Sequence, residues 1–287
     1  MRVTFYTVNI ARYDYVFPVP ITAVPPAGMT ADWIFFSDRR PMWLQGWKWQ
    51  GLPQDIPGQT ATETNRYCKF FPQRLFPEAD ISVYLDANVV MTRNIFDLVQ
   101  EFATSKAAIG LGYVEKRETI QAEGEYIEVT RRFDAATRAA VHKQIAHYET
   151  LGLPSDHRLM QGRVIMRNHA HPDLDAAMQT WWDEFMSQSR RDQISLPYVL
   201  HHHNLPVHRW DWSAENGEPL FYVARHRPSF AAFRPEAYLE AMQHSGPFWQ
   251  GLYRGMQPIF SLRAAVRPFV YRTRRWLRAR AANNKKG

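Results

Sequence analysis

Short apolar runs alternate with longer amphipathic segments along the first 225 residues. Residues 2–8 alternate like a strand, whereas Trp33–Phe36 and Ile81–Leu85 are apolar or nearly so throughout. An apolar run without polar alternation is typical of a strand that is covered on both faces, as in the centre of a parallel sheet. We therefore predict strands at these three places, and further strands over 107–113, 163–166, 206–212 and 220–225.

The spacing of apolar residues between these strands predicts helices. The predicted ranges are 62–75, 94–105, 134–151, 173–189 and 190 to about 202. Thr62 or Thr64 could cap the first helix, and Gly152 with Pro154 ends the third. Trp181 and Trp182 are adjacent, so we expect one to pack inward and the other to cover a neighbouring segment.

Two stretches lack a clear period. Residues 39–61 are rich in Trp, Pro, Gly and Gln and are predicted as a long loop, and 115–133 are predicted as a charged, mobile region. Long irregular loops are usually functional or disordered. Alternatively, Trp43, Trp47 and Trp49 simply pin the first loop to the core.

The alternation of strands and helices predicts an α/β fold with a mostly parallel central sheet flanked by helices. With 287 residues, of which 45% are hydrophobic, the chain can bury a substantial core. We expect one main domain over 1–230 and a C-terminal helical extension over 231–287.

The sequence contains few signals that indicate the cellular compartment. The single Cys68 excludes an intramolecular disulfide, so a reducing cytosol is the default. The N-terminus lacks the apolar core of a signal peptide, and no window reaches the ~18 apolar residues of a membrane-spanning helix. We expect a cytoplasmic protein that is soluble or peripheral on the inner face of the cytoplasmic membrane.

The net charge of +7 is concentrated at the C-terminus. Residues 263–287 contain nine cations and no Asp or Glu: Arg263, Arg267, Arg272, Arg274, Arg275, Arg278, Arg280, Lys285 and Lys286. Subtracting these nine from +7 leaves −2 for residues 1–262. Nucleic acid is therefore an unlikely partner for the body of the chain.

Residues 263–281 combine this charge with an apolar stripe. The stripe has helical spacing and comprises Phe269, Val270, Thr273, Trp276 and Leu277. A basic amphipathic helix with a Trp suits an anionic membrane surface. Packing on the protein or on a partner, and nucleic-acid binding, are the alternatives.

Candidate chemistry follows the strand Ile81–Leu85. Asp86 and Asn88 come directly after it, and Asp38 similarly follows the strand 33–36. Ligands of parallel α/β sheets gather at the carboxyl ends of the strands. One Asp oxygen and one Asn oxygen can share a divalent cation that neutralises a diphosphate. An Asp after a strand is also a common turn former or helix cap.

Two further groups could take part. Arg66 and Lys69 are three positions apart, so they would share one helical face that either binds a diphosphate or is merely solvated. Residues 201–203 are all His, but consecutive helical residues project ~100° apart and cannot chelate one ion together. One of them, or His208, could reach a metal across the site.

Four further patterns occur in order along the chain. They are Tyr6-Thr7 through Tyr13-Asp14; Arg66-Tyr67-Cys68-Lys69 with Phe76-Pro77; Tyr84-Leu85-Asp86-Ala87-Asn88; and, in the second half, Gln144, Tyr148, Gly152 and Pro154, Met160 to His169, Trp181-Trp182 and Arg191 to Ser195. Together these patterns resemble nucleotide-sugar glycosyltransferases of the GT-A type, whose fold is Rossmann-like. The similarity is to the TOD1/MUCI70-like glycosyltransferase domain (DUF616), a relative of the glycogenin-like family eight.

The resemblance implies roles for eight residues. Thr7 and Asp38 would border the nucleoside, and Arg66 and Lys69 would approach the phosphates. Asp86 and Asn88 would hold the metal. Asp192 and Gln193 would face the donor sugar and the acceptor. Asn88 stands where the family's D-x-D motif has its second Asp. An amide oxygen adds no negative charge, so Mn²⁺ or Mg²⁺ should bind more weakly here.

The implied activity is transfer of a sugar from a nucleotide sugar, UDP being expected, to a glycan or lipid-linked acceptor, as in polysaccharide biosynthesis. Asp192 would orient the sugar or accept the proton of the acceptor hydroxyl; alternatively it only caps the helix that follows. Two other functions remain open: a non-catalytic module that binds nucleotide sugars or glycans, and a nucleic-acid-binding protein that uses its basic tail.

Overall fold

A mixed seven-stranded sheet is the centre of the first of two compact units, Met1–Ala232 and Phe233–Gly287. The structure is a computed structural model. It describes all residues except 12, 15, 21, 42–45, 55, 58–59, 115–116, 132, 211–219, 225–238, 240–241, 244–245 and 263–287.

Strands and helices alternate through the first unit. Within the described residues the strands are β1 (Arg2–Val8), β2 (Thr30–Phe36), β3 (Lys48–Gln50), β4 (Ile81–Leu85), β5 (Val89–Met91), β6 (Ile109–Tyr113), β7 (Met160–Asn168), β8 (Val207–Arg209) and β9 (Phe221–Val223). The helices of the same part are α1 (Ala61–Phe70), α2 (Pro72–Leu75), α3 (Phe96–Ser105), α4 (Ile120–Val129), α5 (Ala135–Thr150), α6 (Leu174–Ser187) and α7 (Asp192–His202). In the second unit, α8 covers 247–262.

The strand order of the main sheet is β3-β2-β1-β4-β7-β6-β8. Strands β3, β2, β1 and β4 run parallel, as do β6 and β8, whereas β7 is antiparallel to both of its neighbours. The predicted α/β fold with a mostly parallel sheet between helices is confirmed. Strands β5 and β9 form a separate antiparallel pair.

The reversed strand β7 shapes the edge of the sheet where β4 ends. Because β7 runs the other way, its amino end lies beside the carboxyl end of β4, and the Asp86 amide donates to the Arg163 carbonyl at 2.8 Å. Residues at the start of β7 therefore face the same region as Asp86.

Both faces of the sheet are buried. Alternate residues of β1 and β4 enter two different cores: Tyr6 and Tyr84 lie in one, and Phe5 and Val83 in the other. All five residues of β4 are buried. This explains why four of the five residues at 81–85 are apolar, since each side of the strand faces apolar residues.

The helix predicted over 62–75 is two helices. Phe71 separates α1 from α2, and Pro72 at the first position of α2 cannot continue the hydrogen bonds of α1. The N-cap is Thr60 rather than Thr62 or Thr64. Its side chain accepts from the Glu63 amide, and the Glu63 side chain accepts from the Thr60 amide.

The prediction of a mobile region over 115–133 is wrong for most of its length. Helix α4 begins after Thr119, whose hydroxyl accepts from the Ala122 amide at 3.2 Å. The helix buries Ile120 and Ile127 completely or almost so. Its tertiary packing outweighs a composition rich in charged residues.

The predicted loop 39–61 contains the short strand β3. Trp47 is buried and donates to the Phe17 carbonyl at 2.8 Å, while Trp49 donates to the Ser37 hydroxyl at 3.1 Å. These two side chains therefore pin the segment to the body of the unit, as the alternative interpretation held. Trp43 lies outside the described residues.

Helix α6 carries its two adjacent tryptophans into the core. Trp181 stacks on Phe70 with ring centroids 4.0 Å apart, and Trp182 meets Tyr67 edge-on at 5.6 Å. Both indoles are buried, and Trp182 covers part of the neighbouring helix α1.

Candidate active site

Four charged side chains meet where β4 ends. Arg66 and Lys69 come from α1, Asp86 follows β4 directly, and Asp192 is the first residue of α7. Lys69 Nζ lies 2.7 Å from Asp192 Oδ2 and 3.9 Å from Asp86 Oδ1, and Arg66 Nε lies 3.2 Å from the same Asp192 oxygen. Sequence-distant elements thus bring two cations and two carboxylates together.

The start of α7 is fixed by contacts to three other helices. Arg190, in a left-handed conformation with φ of 59°, pairs with the buried Glu63 of α1. Arg191 Nη2 lies 3.7 Å from Glu123 Oε1 of α4, and the Trp181 indole of α6 donates to the Asp192 carbonyl at 3.0 Å. The position of Asp192 is therefore fixed by the contacts of Arg190, Arg191 and its own backbone carbonyl, in addition to its side-chain ion pairs.

Asp192 is kept ionised by its neighbours. Burial alone would raise its pKa, but the charges of Arg66 and Lys69 and the hydrogen bond from Lys69 outweigh this and hold the pKa well below its usual range. Arg66 responds in the opposite sense: burial would lower its pKa, and Asp192 raises it above the ordinary value. The pair is a fixed charge arrangement at neutral pH.

The two carboxylates differ in accessibility. The Asp86 side chain is 27% exposed, against 11% for Asp192. Asp86 Oδ1 accepts a hydrogen bond of 2.8 Å from the Tyr84 hydroxyl. Burial, and then the Asp86 charge, raise the pKa of Tyr84 well above its ordinary value, so the hydroxyl stays a donor. Tyr84 thereby sets the orientation of the Asp86 carboxylate.

Asn88 connects the site to strand β9. Its side-chain nitrogen donates to the Ala224 carbonyl at 2.7 Å, and its carbonyl accepts from the Ala224 amide at 2.9 Å. Its buried Oδ1 has no hydrogen-bond partner among the residues that the structure describes. A buried amide oxygen two positions after a carboxylate has the chemistry of a ligand for a hard divalent cation. Because Oδ1 is covered, Asp86 is the ligand that an entering cation would reach first.

No group of three or more His, Cys, Asp or Glu side chains suited to a metal occurs in the part of the chain that the structure describes. A cation at Asp86 and Asn88 would therefore need most of its ligands from a bound diphosphate and water. The predicted metal pair stays a prediction.

Comparison with known proteins places the chain in a family. Residues 38–214, more than half of the sequence, match the TOD1/MUCI70 glycosyltransferase-like domain. The chain belongs to this family. The TOD1/MUCI70 match includes Asp38, Arg66 to Lys69, Asp86, Asn88 and Asp192, and it confirms the family that the sequence motifs resemble.

A TOD1/MUCI70 relative is the probable hexosyltransferase MUCI70 of Arabidopsis thaliana, 23% identical over 154 residues. This match covers 50% of the chain but only 26% of the relative. Among solved structures, mouse xyloside xylosyltransferase 1 has a TM-score of 0.47 at 11% identity, over 74% of this chain and 86% of that one. The bifunctional glycosyltransferase WbbM has a TM-score of 0.47 at 10% identity, over 72% and 38%.

The resemblance also implies roles for Thr7, Asp38 and Gln193, which lie in three different parts of the first unit. Thr7, near the end of β1, is buried, and within the described part of the chain its hydroxyl has no hydrogen-bond partner. Asp38 is exposed, and its Oδ1 accepts from the Ala11 amide at 3.0 Å, which orders the loop after β1. Gln193 is half-buried beside Asp192. Their roles toward a nucleotide sugar stay predictions.

The histidines singled out in the sequence have other partners. His202 stacks on Tyr198 with centroids 5.4 Å apart, and His203 Nε2 lies 2.8 Å from the Thr180 hydroxyl. His208 pairs with Glu101 at 2.9 Å. These contacts give the histidines structural partners away from Asp86.

Some contributors to the site were not predicted. Gly162 lies at the start of β7, where an added Cβ would come within 3.2 Å of Lys69 Nζ, so a glycine leaves room for the ammonium. Tyr84 and Glu123 were not assigned roles either. Glu63, which pairs with Arg190, is the contributor that had a recognisable sequence signal. Thr60 and Glu63 have the spacing of a capping box, which predicts the start of a helix.

A cavity of about 230 Å³ lies elsewhere, on the part of β1 and β2 far from Asp86. Arg2 bridges Asp32 and Glu78 at its rim, at 3.1 and 3.2 Å, and Lys48 also pairs with Asp32. These polar groups satisfy one another. The cavity therefore does not compete with the ion cluster as the reaction site.

Proposed function

We propose that this TOD1/MUCI70 family member transfers a sugar from a nucleotide sugar, with UDP-sugars the first candidates, to a glycan or lipid-linked acceptor. The observation that carries the proposal is the convergence of Arg66, Lys69, Asp86 and Asp192 at the carboxyl end of β4. Ligands of α/β sheets bind at this edge.

Stabilisation of the leaving group is the first requirement. A nucleoside diphosphate gains negative charge as the glycosidic bond breaks, and a fixed cation nearby lowers the energy of that state. The Arg66 side chain is 25% exposed, whereas that of Lys69 is 3% exposed and lies between two carboxylates. Arg66 is therefore the cation that contacts the diphosphate, and Lys69 holds Asp192 and Asp86 in place.

Asp192 is suited to orient a sugar. Its lowered pKa keeps it ionised at working pH, so its affinity for a proton is small and it is a weak general base. An ionised carboxylate is a strong acceptor for a sugar hydroxyl. Of its two predicted roles, orienting the donor sugar is the one that the electrostatics favour, with Gln193 next to it.

A divalent metal is the remaining part of the proposal. Asp86 and Asn88 would hold Mn²⁺ or Mg²⁺, which when bound would supply positive charge to the leaving diphosphate. The 2.8 Å hydrogen bond from Tyr84 fixes the position of the Asp86 carboxylate.

A panel of nucleotide sugars tests the proposal. Thermal unfolding of the full chain is measured with each sugar, with and without Mn²⁺, and release of the nucleoside diphosphate is followed in parallel. We expect a UDP-sugar to raise the melting temperature and to be hydrolysed slowly without acceptor, since a ligand that binds only the folded state stabilises it.

The Asp192→Asn variant should lose hydrolysis, whereas Asp156→Asn, at an exposed turn, should keep it. Stabilisation without hydrolysis or transfer to any glycan acceptor would instead identify a non-catalytic binding module. No stabilisation by any nucleotide sugar would overturn the proposal.

A further inference from the structure

Helix α8 (247–262) in the second unit exposes a row of large apolar side chains. Phe248 is 72% exposed, Leu252 40%, Ile259 53% and Leu262 67%. At about 100° per residue, these four positions lie within an arc of about 80° on the helix. Together they are called the apolar face of α8.

The rest of α8 is arranged as an amphipathic helix. Trp249, Tyr253, Met256 and Phe260 are half-buried and lie on the adjoining arc. The rings of Tyr253 and Phe260 lie 6.3 Å apart, as expected for side chains on one side of a helix. Polar residues occupy the opposite side: Gln250, Arg254, Gln257 and Ser261.

Charge indicates what covers the apolar face. From 241 to the end the sequence has no Asp or Glu, and it has ten Lys and Arg: Arg254 and the nine cations of 263–287. A protein partner would have to be strongly acidic to match this segment. An anionic bilayer surface supplies negative charge and an apolar layer together.

We propose that α8 lies in the interface of an anionic membrane, with its apolar face directed into the acyl chains. The long apolar side chains enter the hydrocarbon boundary, and the flanking cations meet the lipid phosphates. No helix in the described part of the chain is long and apolar enough to cross a bilayer. In the proposed contact, α8 lies on the membrane surface.

The inference does not depend on sugar transfer, because α8 belongs to the second unit and the ion cluster to the first. It adds α8 to the basic segment 263–281, which lies outside the described residues. An acceptor carried on a lipid would be concentrated at the same surface, but the membrane contact stands without one.

Vesicle sedimentation of the full chain tests the proposal. Wild-type protein is compared with Phe248→Ser/Ile259→Ser, which shortens two members of the apolar face, and with Gln250→Ser/Gln257→Ser on the polar side. All four of the side chains that are replaced are exposed, so folding should be little affected. Thermal unfolding and circular dichroism confirm that each variant is folded.

We expect wild type and the polar-side variant to bind vesicles of phosphatidylcholine with phosphatidylglycerol. The apolar-face variant should bind them at least ten-fold more weakly, about 1.4 kcal/mol. Vesicles of phosphatidylcholine alone should bind wild type weakly. Raising the salt to ~1 M, where the Debye length falls to ~3 Å, should weaken binding to the anionic vesicles.

Equal binding of all three proteins would overturn the proposal, as would equal binding to neutral and anionic vesicles. Sedimentation velocity without lipid provides the other decisive result. A wild-type dimer that the Phe248→Ser/Ile259→Ser change dissolves, without vesicle binding, would show that a second copy covers the face. Binding of RNA but not of vesicles would equally reject the membrane.

Discussion

The Lys69 ammonium and the Asp192 carboxylate form a buried hydrogen-bonded ion pair, with Nζ 2.7 Å from Oδ2, although 123 positions separate them. Lys69 also lies 3.9 Å from Asp86. The lysine is therefore the one residue of the described site that contacts both carboxylates, and its loss should affect both stability and ligand binding.

Lys69→Met tests this pair, because methionine keeps an unbranched chain and removes the charge. Asp192 would then keep only one of its two ion-pair partners, Arg66. Breaking a buried pair typically costs about 3 kcal/mol. We expect a loss of this size in the free energy of unfolding measured with urea. Lys48→Met is the control, since that side chain is 74% exposed and pairs with Asp32 at the surface. Its effect should stay within about 0.5 kcal/mol; similar losses for both would contradict the assignment.

The pH dependence of stability follows from Asp192. Its pKa is lower in the folded protein than the ~3.9 of an unfolded Asp, so its contribution is complete above about pH 4 and is lost as the pH falls toward the folded-state pKa. We expect wild type to lose more free energy of unfolding between about pH 5 and pH 3 than Asp192→Asn. Asp175→Asn, which removes the partly exposed partner of Arg74, should change this slope less. Parallel wild-type and Asp192→Asn profiles would exclude the buried pair as the source.

Asp86→Asn tests the metal. The amide can still accept the Tyr84 hydroxyl but loses its charge, so the extra stabilisation that Mn²⁺ gives in the presence of a UDP-sugar should disappear. At a ligand concentration of about 100 Kd that stabilisation amounts to about 2.7 kcal/mol. Asp97→Asn, on the exposed side of α3, should retain it. A full Mn²⁺ response in Asp86→Asn would remove Asp86 from the metal ligands.

Gly162→Ala tests the space around Lys69. The added methyl would lie 3.2 Å from Nζ and 4.0 Å from Asp192 Oδ2, so the ammonium must shift. We expect a loss of stability of about 1 kcal/mol and weaker binding of the nucleotide sugar by calorimetry. Gly51→Ala meets no atom within 4 Å and is the matched control. Unchanged binding in Gly162→Ala would show that the lysine position is not critical.

Cys68 reports on unfolding. The residue is fully buried, and burial raises the pKa of its thiol to about 12. At about pH 8 the thiolate fraction is then ~10⁻⁴, and the folded protein should not react with a thiol reagent on the timescale of minutes. In urea, labelling should follow the unfolding transition. Rapid labelling of the folded protein would indicate that α1 opens locally.

Strong local patterns allowed much of the architecture to be predicted. Strand β4 was recognised because four of its five residues are apolar. Asp86 was recognised as a candidate because it follows the carboxyl end of that strand. Helix α4 was missed because its period is interrupted by Gly124 and by Glu123, a buried acid. That acid is tolerated only because Arg117 and Arg191 pair with it in the fold.

The partners within the site could not be predicted in the same way. Arg66 and Lys69 were recognised as a basic pair, but nothing local shows that their counter-ion is Asp192. This ion pair depends on how α1 and α7 pack against the sheet, and hydrophobic periodicity does not indicate which residues of two distant helices come together. The fully buried Arg167, whose pKa burial lowers, likewise had no sequence signal.

The central place of β1 has a practical consequence for expression. The family match begins at residue 38, yet β1 lies between β2 and β4 in the middle of the sheet. A fragment trimmed to 38–214 would leave one side of β4 without its hydrogen-bonding neighbour, and a bare apolar edge of this kind recruits other chains. We expect such fragments to collect in inclusion bodies, so cloning boundaries drawn from the family match alone would be misplaced.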